Sequence, residues 1–182
     1  KICHYLDLPI QHANDDILKR MGRRMNKQQL TDTIHMLRRE IPDICLRTTL
    51  ITGFPGETEA QFTELAEFIQ AQRFDRLGCF AYSQEEGTRA AEFPDQVPED
   101  VRQHRADILM EQQQLIVEEK NNARLGQVCT AVIEGYDRWA ECWFGRTAAD
   151  APDIDGKVFI RSETPLHIGD YVTVRLDEVL DY

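Results

Sequence analysis

The sequence predicts an α/β unit built on a parallel sheet, followed by a small all-β barrel. Three observations carry this reading. The apolar and β-branched run Leu46-Arg47-Thr48-Thr49-Leu50-Ile51-Thr52 ends in Gly53-Phe54-Pro55-Gly56 and leads into an amphipathic run, the pattern of strand, tight loop and helix. Strand and helix patterns alternate as β-α-α-β-α-β as far as Tyr82, the order of a parallel sheet wound with helices. After Gly126 the apolar period falls to two, with turn signals at Asp155-Gly156 and Gly169-Asp170. With 182 residues and 42% apolar content the chain suits one medium domain plus a small one. The change of period places the boundary near Asn121 to Gly126, giving domains 1–121 and 122–182.

The elements follow in order. Ile2 to Leu8 is a short apolar strand that Pro9 stops, leaving Gln11 and His12 at its C-terminal rim. Asn14 caps a short helix through Met21. Lys19, Arg20, Arg23, Arg24 and Lys27 form the basic cluster at its end, either a solvated helix terminus or a binding patch. Leu30, Ile34, Leu37 and Ile41 step by three or four along a second helix, Lys27 to Glu40, which Pro42 ends. The central strand runs from Ile44 to Thr52. Thr58 with Gln61 has capping-box spacing before a helix from Glu59 to about Gln72. Arg76 to Tyr82 is the next strand. Pro98 opens a long helix to about Arg124, with a narrow stripe of Val101, Ile108, Leu109, Leu115 and Ile116. In the β region, strands are expected at Val128 to Glu134, Arg138 to Gly145, Lys157 to Ser162 and Tyr171 to Val179.

Composition narrows the function. The net charge of -11 argues against holding nucleic acid by bulk electrostatics and favours a basic protein partner. No run of about 18 apolar residues exists, so no membrane span or membrane partner is expected. Cys3, Cys45, Cys79, Cys129 and Cys142 form no C-x-x-C pair and match no zinc or cluster spacing. They read as reduced thiols and fit a cytoplasmic location. The opening Lys1-Ile2-Cys3-His4-Tyr5 reads as a chain entering mid-domain.

Three strand ends collect polar residues: Gln11 and His12; Arg47 and Thr49 leading to Gly53, Phe54, Pro55 and Gly56; and Tyr82 with Ser83. In a parallel sheet these rims converge on one face, the usual ligand face of the class. Gln, Thr and Ser suit ribose and amino-acid groups, Arg47 suits a carboxylate, and amides of the Gly-rich loop suit an anionic or adenine edge. The set describes a nucleotide-type ligand site without a nucleophile–base pair or a metal-ligand cluster. His12 reads either as a general acid–base or as a hydrogen-bonded structural residue, no carboxylate partner being visible. Trp139 and Trp143 either stack on bases or share one face as core or interface anchor.

Tyr5-Leu6-Asp7-Leu8-Pro9-Ile10-Gln11-His12-Ala13, Leu46-Arg47-Thr48-Thr49 with Gly53-Phe54-Pro55-Gly56-Glu57-Thr58, and Gly78-Cys79-Phe80-Ala81-Tyr82-Ser83 with Glu86-Gly87-Thr88 resemble the methylthiotransferase family of radical SAM enzymes. Gly145-Arg146-Thr147 with Ala149-Asp150-Ala151-Pro152-Asp153-Ile154-Asp155-Gly156 points to the branch acting on ribosomal protein S-twelve. The resemblance covers nearly the whole chain. It implies the C-terminal half of a radical SAM partial (β/α) barrel binding S-adenosyl-L-methionine, then a TRAM domain. It implies addition of a methylthio group to the β-carbon of an aspartate in a small-subunit ribosomal protein, with two 4Fe–4S clusters in the full-length enzyme. The family's cluster cysteines are absent, so the chain is expected to be the C-terminal portion of a longer enzyme and inactive alone. The motif G-x-I-x-G-x-x-E is met loosely: Thr49 stands at the first Gly and Glu57 falls one place late, where stabilising a helix N-terminus is the plainer role. The runner-up is a tRNA methylthiotransferase, and a third reading is a non-enzymatic interaction module. From Asn122 to Tyr182 six Lys and Arg stand against eleven Asp and Glu, which disfavours RNA and leaves the Ala149–Gly156 carboxylates as a dock for a basic protein.

Overall fold

The computed structural model describes residues 2–180; Lys1, Asp181 and Tyr182, the outer ends of the two expected domains, lie outside them. The chain splits into two compact units, one of residues 6–117 and the other of residues 2–5 with 118–180.

In the first unit β2 (Cys45–Thr52) lies between β1 (Tyr5–Asp7) and β3 (Arg76–Ala81). β2 and β3 are parallel, with Arg47 opposite Arg76, Thr49 opposite Gly78 and Thr52 opposite Ala81. The strand period of two sorts β2 cleanly: Leu46, Thr48, Leu50 and Thr52 are buried, while Arg47, Thr49 and Ile51 are half-buried on the other face. The two buried threonines are satisfied, Thr48 Oγ1 donating to Leu8 O at 2.9 Å and Thr52 Oγ1 to Arg102 O at 3.1 Å. Leu46 and Leu50 pack with Ile34, Phe62, Leu65, Ile69, Phe74 and Leu109 in one core.

The helices around this core start where their caps allow. Asn14 accepts from Asp16 N and Ile17 N before α1 (Asp15–Arg20). Asn26 and Gln29 close a capping box before α2 (Lys27–Glu40), and Thr58 with Gln61 closes another before α3 (Glu59–Gln72). Substituting Thr58 by Ala will cost about 1 kcal/mol in urea unfolding, because Gln61 N–H loses its acceptor. A 3₁₀ turn, Arg89–Glu92, interrupts the loop that follows β3.

α4 runs Glu99–Ala123 and departs from the expected stripe. Leu115 is 63% exposed, whereas Arg105 and Gln113 are buried beside Leu109 and Ile116. Gln113 earns its place by donating Nε2 to Phe74 O at 2.9 Å. Pro98 sits just before the helix, with its carbonyl accepting from Arg102 N at 3.0 Å.

The second unit holds a four-stranded antiparallel sheet in the order β6-β5-β4-β7, from β4 (Val128–Asp137), β5 (Cys142–Thr147), β6 (Val158–Ile160) and β7 (Tyr171–Arg175). Ala131, Ile133 and Ile160 form its centre, with Trp143, Val158, Leu166, Val172 and Val174 around them. Among the described residues the strands form two open sheets, so the expected all-β barrel is not closed. β6 has three residues, too few to carry the ladder onward, and no β6–β7 pairing forms. β1 is shorter than the expected Ile2–Leu8 strand, and residues 138–141 are a turn where a strand was expected. No helix is long and apolar enough to cross a membrane among the described residues.

Candidate functional site

The loop Gly53–Glu57 leaves the C-terminal end of β2 and enters α3. Its geometry is fixed by contacts from several elements. Gly53 takes φ 69°, and a Cβ there would lie 2.0 Å from Arg102 Cγ and 3.0 Å from Arg102 Cα, so the first turn of α4 rests directly on this backbone. Phe54 is buried, with the Tyr82 ring edge-on at 5.4 Å and Phe93 at 6.2 Å. Pro55 is buried beside it. Gly56, at φ 82°, donates its N–H to Asp95 O at 2.8 Å.

Beneath the loop lies a buried ionic network that the sequence did not reveal. Glu57 Oε2 accepts from Gly53 N at 3.0 Å and lies 3.2 Å from His12 Nε2. Its Oε1 accepts from Arg105 Nη1 at 2.7 Å, and Arg105 Nη2 reaches Glu59 Oε2 at 3.0 Å. The His12 and Glu57 side chains have no exposed surface. His12 Nδ1 accepts from Asn14 N at 2.9 Å, which leaves the ring proton on Nε2, directed at Glu57. A buried carboxylate is tolerable only with such a set of donors.

This arrangement corrects several expectations. His12 has a carboxylate partner after all. Both ring nitrogens are engaged, so it supports the loop from below rather than offering an atom at the rim. Glu57 precedes the Thr58 N-cap and turns back to Gly53, rather than facing the first turn of α3. The amides of Gly53 and Gly56 are spent inside the protein, on Glu57 and on Asp95 O, so the glycines serve close backbone approach rather than an anion cradle. Arg47 is six residues below Gly53, roughly 20 Å at strand rise, and its Nε lies 3.7 Å from Asp7 Oδ2. Ser83 is exposed and donates to Glu85 Oε1 at 2.6 Å.

What remains at the rim is a smaller set. Gln11 takes φ 72° and bridges to β2 through its own backbone, accepting from Ile51 N and donating to Thr49 O, each at 2.9 Å. Its side-chain Oε1 is buried without a hydrogen-bond partner, and so is the Tyr82 hydroxyl. The two residues flank the end of β2, Gln11 on the β1 side and Tyr82 on the β3 side, where Tyr82 N donates to Thr52 O at 2.9 Å. Thr49 stands half-buried on the open face of β2, opposite Gly78. Buried polar atoms without partners cost about 1–3 kcal/mol each, which a bound polar ligand relieves. Binding, rather than proton transfer, is what these groups can do.

Arg105 had a signal in the sequence. It occupies position i+4 from Val101 and i−4 from Leu109 on the apolar stripe of α4, and a charge on such a stripe demands a buried partner. Phe93 had none, because its loop lacks periodicity.

The cysteines do not gather. Cys45 and Cys142 are buried, Cys3 is exposed, and burial pushes the Cys79 thiol up to about 12, which keeps it protonated and inert. No group of three or more His, Cys, Asp or Glu side chains that could hold a metal ion is found among the described residues.

In the second unit, the acidic stretch expected to dock a basic protein is largely turned inward. Asp150 is buried, and its Oδ2 accepts from Thr147 N at 2.9 Å and Thr147 Oγ1 at 2.6 Å. Asp155 Oδ2 accepts from Ala151 N at 2.8 Å and from the Tyr5 hydroxyl at 2.7 Å. Asp153 and Ile154 face outward. Trp139 and Trp143 do not share a face: Trp143 packs against the sheet core, and Trp139 stands in the β4–β5 turn, 97% exposed.

Comparison with known proteins bears on both units. Residues 1–69 match the family model of the radical SAM superfamily, and residues 125–182 match that of the TRAM domain. The chain is 51% identical over 182 residues to the ribosomal protein uS12 methylthiotransferase RimO of Desulfitobacterium hafniense, covering all of this chain and 41% of that protein. It is 50% identical to the protein of the same name from Lachnoclostridium phytofermentans, again over all of this chain and 41% of the relative. The chain therefore spans about two fifths of the length of the curated relatives it matches. A solved structure, the radical SAM enzyme coproporphyrinogen III oxidase (HemN) from Escherichia coli, aligns at 21% identity with a TM-score of 0.45, over 66% of this chain and 26% of its own.

Proposed function

We propose that the chain belongs to the radical SAM methylthiotransferases and is the part of a ribosomal protein uS12 methylthiotransferase that holds S-adenosyl-L-methionine at the end of β2 and docks the protein substrate through its TRAM domain. The observation that carries the cofactor assignment is the pair of buried, partnerless polar atoms, Gln11 Oε1 and the Tyr82 hydroxyl, on either side of the Gly53 loop. Gln11 Oε1 accepts from an amino group of the ligand, and Tyr82 donates to one of its oxygen or nitrogen acceptors. Phe54 and Pro55 form the apolar floor beside them, and Thr49 extends the polar lining down the open face of β2. Arg47, beside Asp7, and the exposed Ser83, bonded to Glu85, lie outside this lining.

Gln11 and Tyr82 would hold S-adenosyl-L-methionine beside the Gly53 loop, where, together with the 4Fe–4S clusters of the family, it would supply radical and methylthio-transfer chemistry. The dispersed cysteines of this chain do not fit a cluster, so we assign both clusters to other residues of a longer polypeptide and take this chain to be inactive alone. The role of the residues present is to bind and orient. The Glu57 network keeps the loop rigid beneath the ligand, and Tyr82 is locked by its contact with Phe54 and by Arg102 Nη1, which donates to Tyr82 O.

The β-carbon of an aspartate on uS12 is the site we propose for modification. Mass spectrometry of uS12 after incubation with the reconstituted longer protein tests this, and one methylthio group replacing one hydrogen on an aspartyl peptide is the expected product. The alternative, a tRNA methylthiotransferase, is disfavoured by the acidic β unit, with six basic against eleven acidic residues from position 122 onward. Modified tRNA with unmodified uS12 would overturn the proposed substrate.

A further inference from the structure

Outside the rim, the most exposed large apolar side chain among the described residues stands in the β4–β5 turn. Trp139 is 97% exposed, although a Trp ring is the side chain whose burial is worth most. It is not loosely held. The Asp137 carboxylate accepts from Trp139 N at 2.8 Å and from Ala140 N at 3.0 Å, and these amides, Ala140 before Trp139, hold the Asp137 carboxyl below its ordinary range. Glu141 completes the turn at φ 50°. Next to it in the hairpin, Tyr136 is itself 47% exposed and packs edge-on against Trp143 at 5.1 Å. The result is a rigid turn that presents one indole ring to solvent. Trp is among the side chains most enriched where an interface concentrates its binding energy.

The chemistry of the surroundings selects what covers it. Two kinds of planar group stack well on an indole, a nucleobase and a guanidinium. A nucleobase brings phosphates to a unit with an excess of five acidic residues from position 122 onward, which repels them. A guanidinium is drawn by the ring face and by the net acidic charge of the unit. Glu141 lies two residues on, while Asp137 is bonded to the turn amides and Arg138 adjoins the ring in sequence, so the ring face and the overall charge carry the selection. The loop 147–156 supplies less attraction than its composition implies, since Asp150 and Asp155 are bonded inward.

We propose that Trp139 is the anchor on which the β unit takes an arginine- or lysine-rich segment of its protein partner, one cationic side chain stacking on the exposed indole. This rests on the reading that a basic ribosomal protein is the substrate, and it moves the dock from the acidic loop to the hairpin tip.

The test uses the 182-residue chain, its Trp139→Ala variant and its Trp139→Tyr variant, titrated with purified uS12, with a nona-arginine peptide and with bulk tRNA at two salt concentrations. Trp139→Ala is expected to keep the melting temperature of the parent, because the ring touches no core. It is expected to lose about tenfold in affinity for both uS12 and nona-arginine, while Trp139→Tyr, which keeps an aromatic face, loses about threefold or less. Binding of both probes undiminished in Trp139→Ala overturns the anchor and leaves the substrate reading intact. Trp139-dependent binding of nona-arginine with no binding of uS12 supports the anchor and overturns the substrate reading. Trp139-dependent binding of tRNA alone, or no binding of any probe, overturns both.

Discussion

Replacing Arg105 by Met will destabilise the chain by about 3–5 kcal/mol in urea unfolding, the largest loss expected of any single polar substitution in this protein. The reason lies in what is left behind. Glu57 has no exposed side-chain surface, and Arg105 Nη1 reaches its Oε1 at 2.7 Å. Without Arg105 the carboxylate keeps Gly53 N and His12 Nε2, neither of which brings a fixed positive charge. The lost contact to Glu59 matters little, since that carboxylate is 79% exposed and water replaces its partner. The double variant Glu57→Gln with Arg105→Met removes the stranded charge and should recover a large part of the loss. If the single and double variants are equally unstable, the packing of the Arg105 stem rather than its charge carries the effect.

Gly53→Ala will be nearly as damaging and will also erode the rim. A Cβ at Gly53 meets Arg102 Cγ at 2.0 Å, Arg102 Cβ at 2.7 Å and Arg102 Cα at 3.0 Å, so backbone must shift and not only a side-chain tip. The left-handed φ of 69° adds strain of roughly 1–2 kcal/mol, and overpacking adds about 1–3 kcal/mol. The first turn of α4 must lift away, taking with it the Arg102 contact to Tyr82 O and the Arg102 carbonyl that receives Thr52 Oγ1. Gly56→Ala is the control. Its Cβ meets only the end of the Arg20 side chain, Nη1 at 2.1 Å, which can swing aside, so the cost is the φ strain of about 1–2 kcal/mol. Equal losses for the two glycines would show that the close approach of α4 does not matter to the loop.

Much of the α/β unit was legible in the sequence because its signals are local. Asn14 and Thr58 cap where they were read to cap, and the Lys27–Glu40 and Glu59–Gln72 helices keep those bounds. The strand before Gly53 and the alternation around it follow from an apolar run and a period of two. The site was legible only as a place. Which atoms of the loop are free depends on partners far along the chain, such as Arg105 on α4 and Asp95 in the loop before it, and no local pattern announces them. Thus His12 and the two glycine amides turned out to be committed inside, whereas Gln11 and Tyr82 kept buried polar atoms without partners.

The β unit was harder for a different reason. The β4–β5 turn, Arg138-Trp139-Ala140-Glu141, has neither Gly nor Pro, so it reads as a continuing strand and puts Trp139 on a false parity with Trp143. The turn is made instead by the Asp137 side chain taking two backbone amides, a device that composition does not reveal. The same holds for Asp150 and Asp155. Counted as charges they look like a docking surface, but each is consumed by donors of its own loop or of Tyr5.

Equilibrium dialysis of S-adenosyl-L-methionine against the longer protein carrying Gln11→Leu or Tyr82→Phe in this chain reads out the proposed ligand site. Gln11→Leu removes the amide whose Oε1 has no partner inside the protein, and Tyr82→Phe removes the partnerless hydroxyl, so the fold should be no less stable while the ligand loses a hydrogen bond. Binding weakened by about tenfold for each variant, with unchanged or raised unfolding midpoints, is the expected result. Unchanged affinity in both would contradict it and place the ligand away from the end of β2.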